Sequence, residues 1–418
     1  MPAVRAPGRV VVCGAGVVGA AVAYFLARRG VAVTLVEREG VACAASGKSG
    51  GFLALDWCDG SPVGPLARAS FALHAELARE LDGDHGYRRM DTFMLAAREQ
   101  GRAPGGHRIA PPAWLDGAGA VTAALGSPET TAQVHPARFT RALVDAATAR
   151  GADLVMGVVE AVMEQAGAAT GVRVDGQVLA ADAVVLALGP WTDTLGARLG
   201  LPRVAGLKGF SVTLAAPDVP AHALFVEYRT ADGRHLEPEI FPRPDGHVYV
   251  CGMADPQPLP EAPSGVLVSA DACAILARAA GRVSSALAYF IVTTNAFMHH
   301  PVGYVQDAAG VLRLTDLGAF LLNPWALVAY AHVMAASVTT AAFVVAAVGA
   351  FWLLSGVHRP VAAICLRTGV IAGLAASVLV AFPTGDLQGK MTARYKPAAL
   401  ATMEGRFETV RGAEISRR

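Results

Sequence analysis

Apolar residues come in short runs broken by charge over the first two thirds of the chain, and in long runs nearly free of charge over the last third. Residues 10–12 form a β-branched run, residues 20–29 repeat their apolar positions at the helical period, and residues 31–36 return to a β-branched run. That order predicts strand, turn, helix, strand. Residues 183–188 read as a buried strand ending in a Gly-Pro turn. Residues 204–214, 223–228, 239–241 and 248–252 read as further strands, separated by turns such as Asp245-Gly246. Later, residues 326–354 are almost uninterrupted by charge, and residues 361–383 follow after a short basic loop. A run of roughly 18 or more apolar residues can cross the ~30 Å hydrocarbon layer as a helix. Residues 285–298 make a third, shorter candidate. The character of the chain changes near Ser284, so residues 1–284 are expected to form a water-soluble part and residues 285–418 an all-α transmembrane segment of two to three helices.

Composition narrows the picture. A chain of 418 residues has room for two or three domains, and its first part is long enough to bury a core. The formal net charge of +1 gives no electrostatic footprint for nucleic acid, so none is expected as a partner. Six cysteines (Cys13, Cys43, Cys58, Cys251, Cys273 and Cys365) are scattered without a CxxC pair or metal-like spacing, and read as buried thiols of a reducing compartment. Residues 1–9 lack the basic-then-apolar build of a secretory signal. The first part is therefore expected in the cytoplasm.

The first strand runs into Gly14-Ala15-Gly16-Val17-Val18-Gly19, the GxGxxG spacing of a dinucleotide turn. One glycine serves the turn, one lets backbone approach a pyrophosphate, and one lets helix pack on strand; the diphosphate would rest on the free N–H groups of the helix start. Glu37, followed by Arg38, closes the second strand where a carboxylate can accept from both ribose hydroxyls, which argues against a 2′-phosphate. The segment AASGKSGGF at residues 44–52 is a small-residue loop whose amides, with Ser46 and Ser49, suit a second phosphate or a flavin edge. The spacing alone leaves FAD and NAD both open.

Together with AVVLALGPW at residues 183–191, these residues resemble the FAD-dependent D-amino-acid oxidase superfamily, which includes glycine and sarcosine oxidases. The resemblance runs from about Arg9 to about Ala280. It is closest to an oxidoreductase branch carrying the GGFLALDW segment of Gly50 to Trp57, with His135-Pro-Ala-Arg-Phe139, Gly206-Leu-Lys-Gly209 and residues 238–252 also matching. It implies an α/β Rossmann-type FAD domain with an antiparallel substrate sheet. Gly14, Gly16, Val17, Val18, Gly19, Glu37 and Arg38 would hold the ADP half. Ser46, Gly47, Lys48, Ser49 and Gly50 would lie against pyrophosphate and flavin, and Gly189, Pro190 and Trp191 would complete the FAD site. The implied chemistry is hydride transfer to the flavin from a carbon bearing an amine or a hydroxyl, then reoxidation. Family members return to the nucleotide domain through a C-terminal stretch of the R-P-x-T/S-x-D-G type. Nothing in this sequence matches that stretch, and the membrane sequence begins where it belongs.

Several residues carry two readings. Lys48 and Lys208 are candidates to steer an anionic substrate or to help oxygen meet reduced flavin, and equally read as solvated charges. Arg243, between Pro242 and Pro244, is a candidate carboxylate clamp or a structural ion-pair partner. His135 before Pro136 reads as a helix start, and Trp57 and Trp191 as packing residues.

In the apolar part the loop with His358, Arg359 and Arg367 favours a cytoplasmic position. That implies a multi-pass protein of the inner (cytoplasmic) membrane, in contact with lipid, with its N-terminal domain in the cytoplasm. His332 lies inside an apolar run, where an ionisable group is costly; it reads as a haem ligand, an interhelical hydrogen bonder or an interfacial residue. NAFMHHPVGY at residues 295–304, Asn323-Pro-Trp-Ala326 with His332 downstream, Gly385-Asp-Leu-Gln388, Met403-Glu-Gly405 and Phe407-Glu-Thr409 together resemble subunit I of cytochrome bd quinol oxidase. The resemblance implies that His332 is an axial ligand of haem b, that quinone contacts lie near Lys396, and that cytochrome bd subunit II is a partner. The first helices of that family and those after its quinol loop, which bring further haem ligands, have no counterpart here. The expected whole is an FAD-dependent oxidase of an amine or amino-acid-like substrate joined to a partial cytochrome bd subunit I. The alternatives are a cytochrome bd membrane fragment with a vestigial flavin domain, and a nonfunctional fusion of two gene fragments.

Overall fold

The computed structural model describes residues 7–103, 105–216, 218–288, 296, 300, 302–306 and 312–395. The chain divides into two compact units, Met1–Leu287 and Ala288–Arg418. The first unit opens with β1 (Arg9–Cys13), α1 (Val17–Ala27), β2 (Ala32–Glu37), β3 (Phe52–Ala54) and α2 (Gly64–Glu80). Next come β4 (Arg88–Arg89), β5 (Asp91–Arg98), β6 (Ala120–Gly126), β7 (Thr131–Gln133), α3 (Pro136–Thr148), β8 (Asp153–Met156), β9 (Val159–Gln165), β10 (Ala168–Val174), β11 (Gln177–Ala180), β12 (Ala183–Leu186) and α4 (Asp193–Gly196). It closes with β13 (Lys208–Ala215), β14 (His222–Arg229), β15 (His235–Leu236), β16 (Glu239–Pro242), β17 (His247–Asp255) and α5 (Ala270–Val283).

A parallel sheet of order β12-β1-β2-β8 is the nucleotide layer. Its central strand is apolar on both faces because both faces are covered. Val10 and Val12 pack with Ala20, Ala23 and Tyr24 of α1 and Leu143 of α3. Val11 and Cys13 point the other way, into a cluster with Val36, Val172 and Val174 beneath the antiparallel sheet β9-β10-β11. Val10 through Cys13 are at most 2% exposed, and each such side chain contributes about 1.5–3 kcal/mol by leaving water. The helix α3 starts as His135-Pro136 predicts. The imidazole of His135 accepts from the Arg138 N–H at 3.5 Å, and Pro136 occupies the first turn, where its missing N–H costs nothing.

The second layer is a sheet of order β13-β17-β16-β14-β5-β6, with β15 beside β14. Its neighbours are antiparallel except β5 and β14, which run parallel in unbroken register from Asp91 opposite His222 to Arg98 opposite Arg229. The strand expected from residue 204 starts at Lys208. The preceding segment is tied to α4 instead, through the Val204 N–H to Asp193 Oδ1 at 2.8 Å. Helix α5, capped by Ser269, buries Ile275, Leu276, Ala279 and Ala280. The strands β3, β7 and β4 form a small third sheet.

The second unit holds a hairpin of Tyr304–Gln306 with Leu312–Leu314, a short helix Leu317–Leu321, and the long helices Pro324–Leu354 and Arg359–Leu379. Two apolar spans, Gly318–Leu354 and Arg359–Tyr395, are 37 residues each and contain an 18-residue stretch of mean hydropathy 2.0, long and apolar enough to cross a membrane. The long helices meet along small residues. A Cβ at Gly349 would lie 2.5 Å from Leu366 N, and one at Gly369 2.6 Å from Ala342 O, the close backbone approach that substitutes for a hydrophobic drive in lipid. After Leu379 the chain leaves helical geometry at Phe382 and resumes as the helix Asp386–Tyr395. The third candidate span, residues 285–298, lies mostly outside the described residues, as do Lys396 and the motifs at 403–405 and 407–409.

Candidate flavin and substrate site

The glycine turn is required by its surroundings. Gly14 has φ +103, and a Cβ there would come 2.4 Å from Ala187 O; one at Gly19 would come 1.8 Å from Gly14 O. At Gly16 a Cβ would meet only Ser46 Oγ, at 3.0 Å. Gly14 and Gly19 thus serve the packing of turn, helix and strand β12, whereas Gly16 borders open space. Helix α1 begins at Gly16 with no side-chain cap and no acid in its first turn, so N–H groups at its start remain for an anion. Ser46 Oγ accepts from the Val17 N–H at 2.9 Å, which fixes the residue 44–52 loop over the turn. Gly47 allows that loop to close, since a Cβ there would lie 1.9 Å from Ala42 O.

A cavity of about 330 Å³ lies against this turn, lined by Gly14, Gly16, Val18, Glu37, Arg38 and Ser46 on one side and Gly189, Pro190 and Trp191 on the other. Val18 is 63% exposed, an apolar side chain at a helix start on the wall of this cavity. Glu37 is buried. Its Oε2 accepts from Ala15 N–H at 2.8 Å and its Oε1 from Glu39 N–H at 3.1 Å, which aims the carboxylate and leaves further lone pairs for ribose hydroxyls. The Trp191 indole N–H donates to Pro260 O at 2.8 Å, fixing the rim. These residues fit a dinucleotide.

A second cavity, about 620 Å³, shares Ala44, Ala45, Pro190 and Trp191 with the first. Lys48, Lys208, Glu239, Tyr249 and Cys251 also line it. A third, about 490 Å³, shares Ser49, Gly50 and Glu239 with the second and is walled by Phe52, Trp57, Phe225 and Phe241. Trp57 packs on Phe52 and Phe225, each with ring centres 5.0 Å away. Lys208 Nζ donates to Gln257 Oε1 at 3.2 Å and lies over the Phe210 ring. The structure thus brings Lys48 and Lys208 to one cavity. Arg243 lines none of the three. Its guanidinium donates to Ser49 O at 3.0 Å and lies 4.8 Å over the Tyr249 ring, and burial lowers its pKa. It braces the loop behind the cavity wall.

The sequence pattern marks none of Glu239, Tyr249 and Cys251 as a site residue, Cys251 appearing there only among the scattered thiols. The alternation of β16 held a signal, for Glu239 and Phe241 must share one face, leaving an acid on an aromatic side. Burial pushes both the Tyr249 phenol and the Cys251 thiol up to about 12, and raises the Glu239 carboxyl above its ordinary value. Among the described residues all six cysteines are free; Cys13 is buried and the others only partly so.

In the second unit His332 Nδ1 lies 3.2 Å from Thr384 Oγ1, whose hydroxyl donates to Leu379 O at 2.6 Å. With that proton committed to the carbonyl, the hydroxyl accepts and Nδ1 donates. The Nε2 lone pair is then left for another group. Among the described residues no group of three His, Cys, Asp or Glu side chains is placed to hold a metal ion.

Comparison with known proteins agrees with this geometry. The family model described as FAD dependent oxidoreductase matches residues 9–315. An oxidoreductase-like protein of Schizosaccharomyces pombe is 32% identical over 305 residues, covering 65% of this chain and 77% of that protein. The crystal structure of glycine oxidase from Geobacillus kaustophilus superimposes with a TM-score of 0.54 at 25% identity, over 67% of this chain and 80% of that one. The chain belongs to the FAD-dependent oxidoreductases. More particularly, it joins such a domain to a segment like cytochrome bd terminal oxidase subunit I, whose family model matches residues 268–417. The cytochrome bd ubiquinol oxidase subunit 1 of Bacillus subtilis is 32% identical over 120 residues, 29% of this chain and 25% of that protein. The chain spans about a quarter of the length of the cytochrome bd relatives it matches. Together with the two apolar spans, this similarity marks the C-terminal part as membrane-associated.

Proposed function

We propose that the protein oxidises an amine or amino-acid-like substrate in residues 1–284 and hands the electrons to quinone at a membrane part formed by residues 285–418, with the N-terminal domain on the cytoplasmic side. The observation that carries this reading is the run of three cavities joined by shared walls, with the glycine turn and Glu37 at one end, Lys48 and Lys208 in the middle, and the aromatic wall at the other end beyond Glu239. Gly14, Gly16, Val17, Val18, Gly19, Glu37 and Arg38 would hold the ADP half of FAD. Ser46, Gly47, Lys48, Ser49 and Gly50 would lie along the pyrophosphate and flavin, with Gly189, Pro190 and Trp191 opposite. When bound, the flavin supplies the hydride acceptor for the carbon bearing the amine. The protein's own part is to orient that carbon, exclude water with the wall of Phe52, Trp57, Phe225 and Phe241, and counter a substrate carboxylate with Lys48 and Lys208.

Purified full-length protein is expected to carry a flavin absorption band that bleaches anaerobically with sarcosine or glycine and returns with a short-chain quinone. Gly16→Val is expected to lose the band, because the side chain enters the pyrophosphate path; a normal flavin content in that variant refutes the assignment.

The His332 geometry favours a second reading. There the C-terminal part assembles with cytochrome bd subunit II around haem b and the flavin domain is vestigial. His332 would offer its Nε2 to the haem iron, which when bound would supply one-electron exchange with quinol. A Soret band that survives copurification with subunit II and vanishes in His332→Ala, in protein without flavin, selects this reading.

A further inference from the structure

Glu239 is the acidic side chain lining the wall between the two larger cavities, and no other acid lines either of them among the described residues. Strand register sets Phe225, Glu239 and Cys251 side by side across β14, β16 and β17, with Phe241 opposite Tyr249 in the next row of the same face. The carboxylate's side-chain hydrogen-bond partner is the Cys251 thiol, Sγ to Oε2 at 3.6 Å. No lysine, arginine or histidine forms an ion pair with it among the described residues. A carboxylate drawn out of water without a counter-ion is costly, so an unpaired one on a cavity wall is a place where a ligand's cation would be stabilised. The rings beside it have faces that attract a cation: Phe225 lies 5.0 Å from Trp57 and 5.2 Å from Phe52, centre to centre. Lys48 and Lys208 line the larger cavity only, whereas Glu239 and the ring wall share the smaller one, so the site has a cationic end and an anionic, aromatic end.

We infer that Glu239 and the aromatic wall seat the ammonium group of the substrate, making the ligand a cationic amine or zwitterionic amino acid rather than a hydroxy acid. This rests on the proposed flavin site and sharpens it, since hydride transfer alone allows an amine or a hydroxyl at the reacting carbon. The raised carboxyl of Glu239 is the state expected before a cation arrives.

The test titrates the flavin spectrum of the full-length protein with sarcosine, benzylamine and glycolate. The two amines are expected to perturb the spectrum at concentrations at least tenfold lower than glycolate. Glu239→Gln is expected to raise the amine Kd about tenfold or more while leaving that for glycolate unchanged, and Glu239→Asp to fall between. Equal affinity for sarcosine and glycolate in the wild type, no response to either amine, or an unchanged amine Kd in Glu239→Gln each overturns the inference. Protein purified without any flavin refutes the site itself, and the flavin band distinguishes that outcome from the others before any ligand is added.

Discussion

Glycine does opposite work in the two units. At the nucleotide turn, Gly14 and Gly19 let one strand, one turn and one helix interlock, so that Gly16 can border a cavity that protein does not fill. Between the long apolar helices, Gly349 and Gly369 remove side chains so that protein fills everything, backbone against backbone. The first arrangement spends its close packing on holding a space open, and the second on closing one. The same residue type therefore marks a ligand site in one unit and a helix contact in the other, and what distinguishes them is whether the missing Cβ would meet backbone or open space.

The largest effect is expected from Gly19→Val, whose side chain would overlap Gly14 O and separate α1 from β1. Loss of flavin together with loss of the cooperative melt, followed by near-ultraviolet circular dichroism, is the expected result. Gly369→Leu is expected to cost about 1–3 kcal/mol of helix-pair stability through overpacking, read as faster proteolysis of the C-terminal part in detergent, with flavin content unchanged. A fall in flavin content in that variant would show that the two kinds of glycine are not independent. Gly16→Ala is smaller, because its Cβ meets only Ser46 Oγ at 3.0 Å. An increase of roughly tenfold in the FAD Kd, ~1.4 kcal/mol, is expected by equilibrium dialysis, with little change in Tm.

The smallest effect is one of pH. Burial raises the Glu239 carboxyl above its unfolded value, so ionising it costs folded-state stability as pH rises through the raised value, while below the unfolded value both states hold the proton and nothing is lost. In flavin-free protein, Glu239→Gln is thus expected to melt with the wild type near about pH 4 and above it near about pH 8. A parallel offset across that range would mean that the effect is one of shape and not of charge.

Local signals made the nucleotide layer legible. The β-branched runs, the glycine spacing and Glu37 all lie within about thirty consecutive residues, and the structure places β1, α1 and β2 within a few residues of where the pattern does. The long helices were legible for the same reason, as length and apolarity are properties of a run. The pairing of β5 with β14 was not, because nothing in residues 91–98 names residues 222–229 as their neighbours. Nor was the isolation of Glu239, which depends on three strands meeting at one row. His332 lay between: its position in an apolar run flagged it, but Thr384, which fixes its tautomer, lies 52 residues away across the turn at Phe382.

The parallel pairing of β5 with β14 also sets a clock. Asp91 waits for His222, 131 residues later (222 − 91), which at ribosomal speeds of about 5–20 residues per second is a delay of roughly 10 s. For that interval β5 has β6 on one edge and nothing on the other. The apolar helices follow β14 in the chain, so the strand that completes this edge leaves the ribosome before the most membrane-seeking segments do.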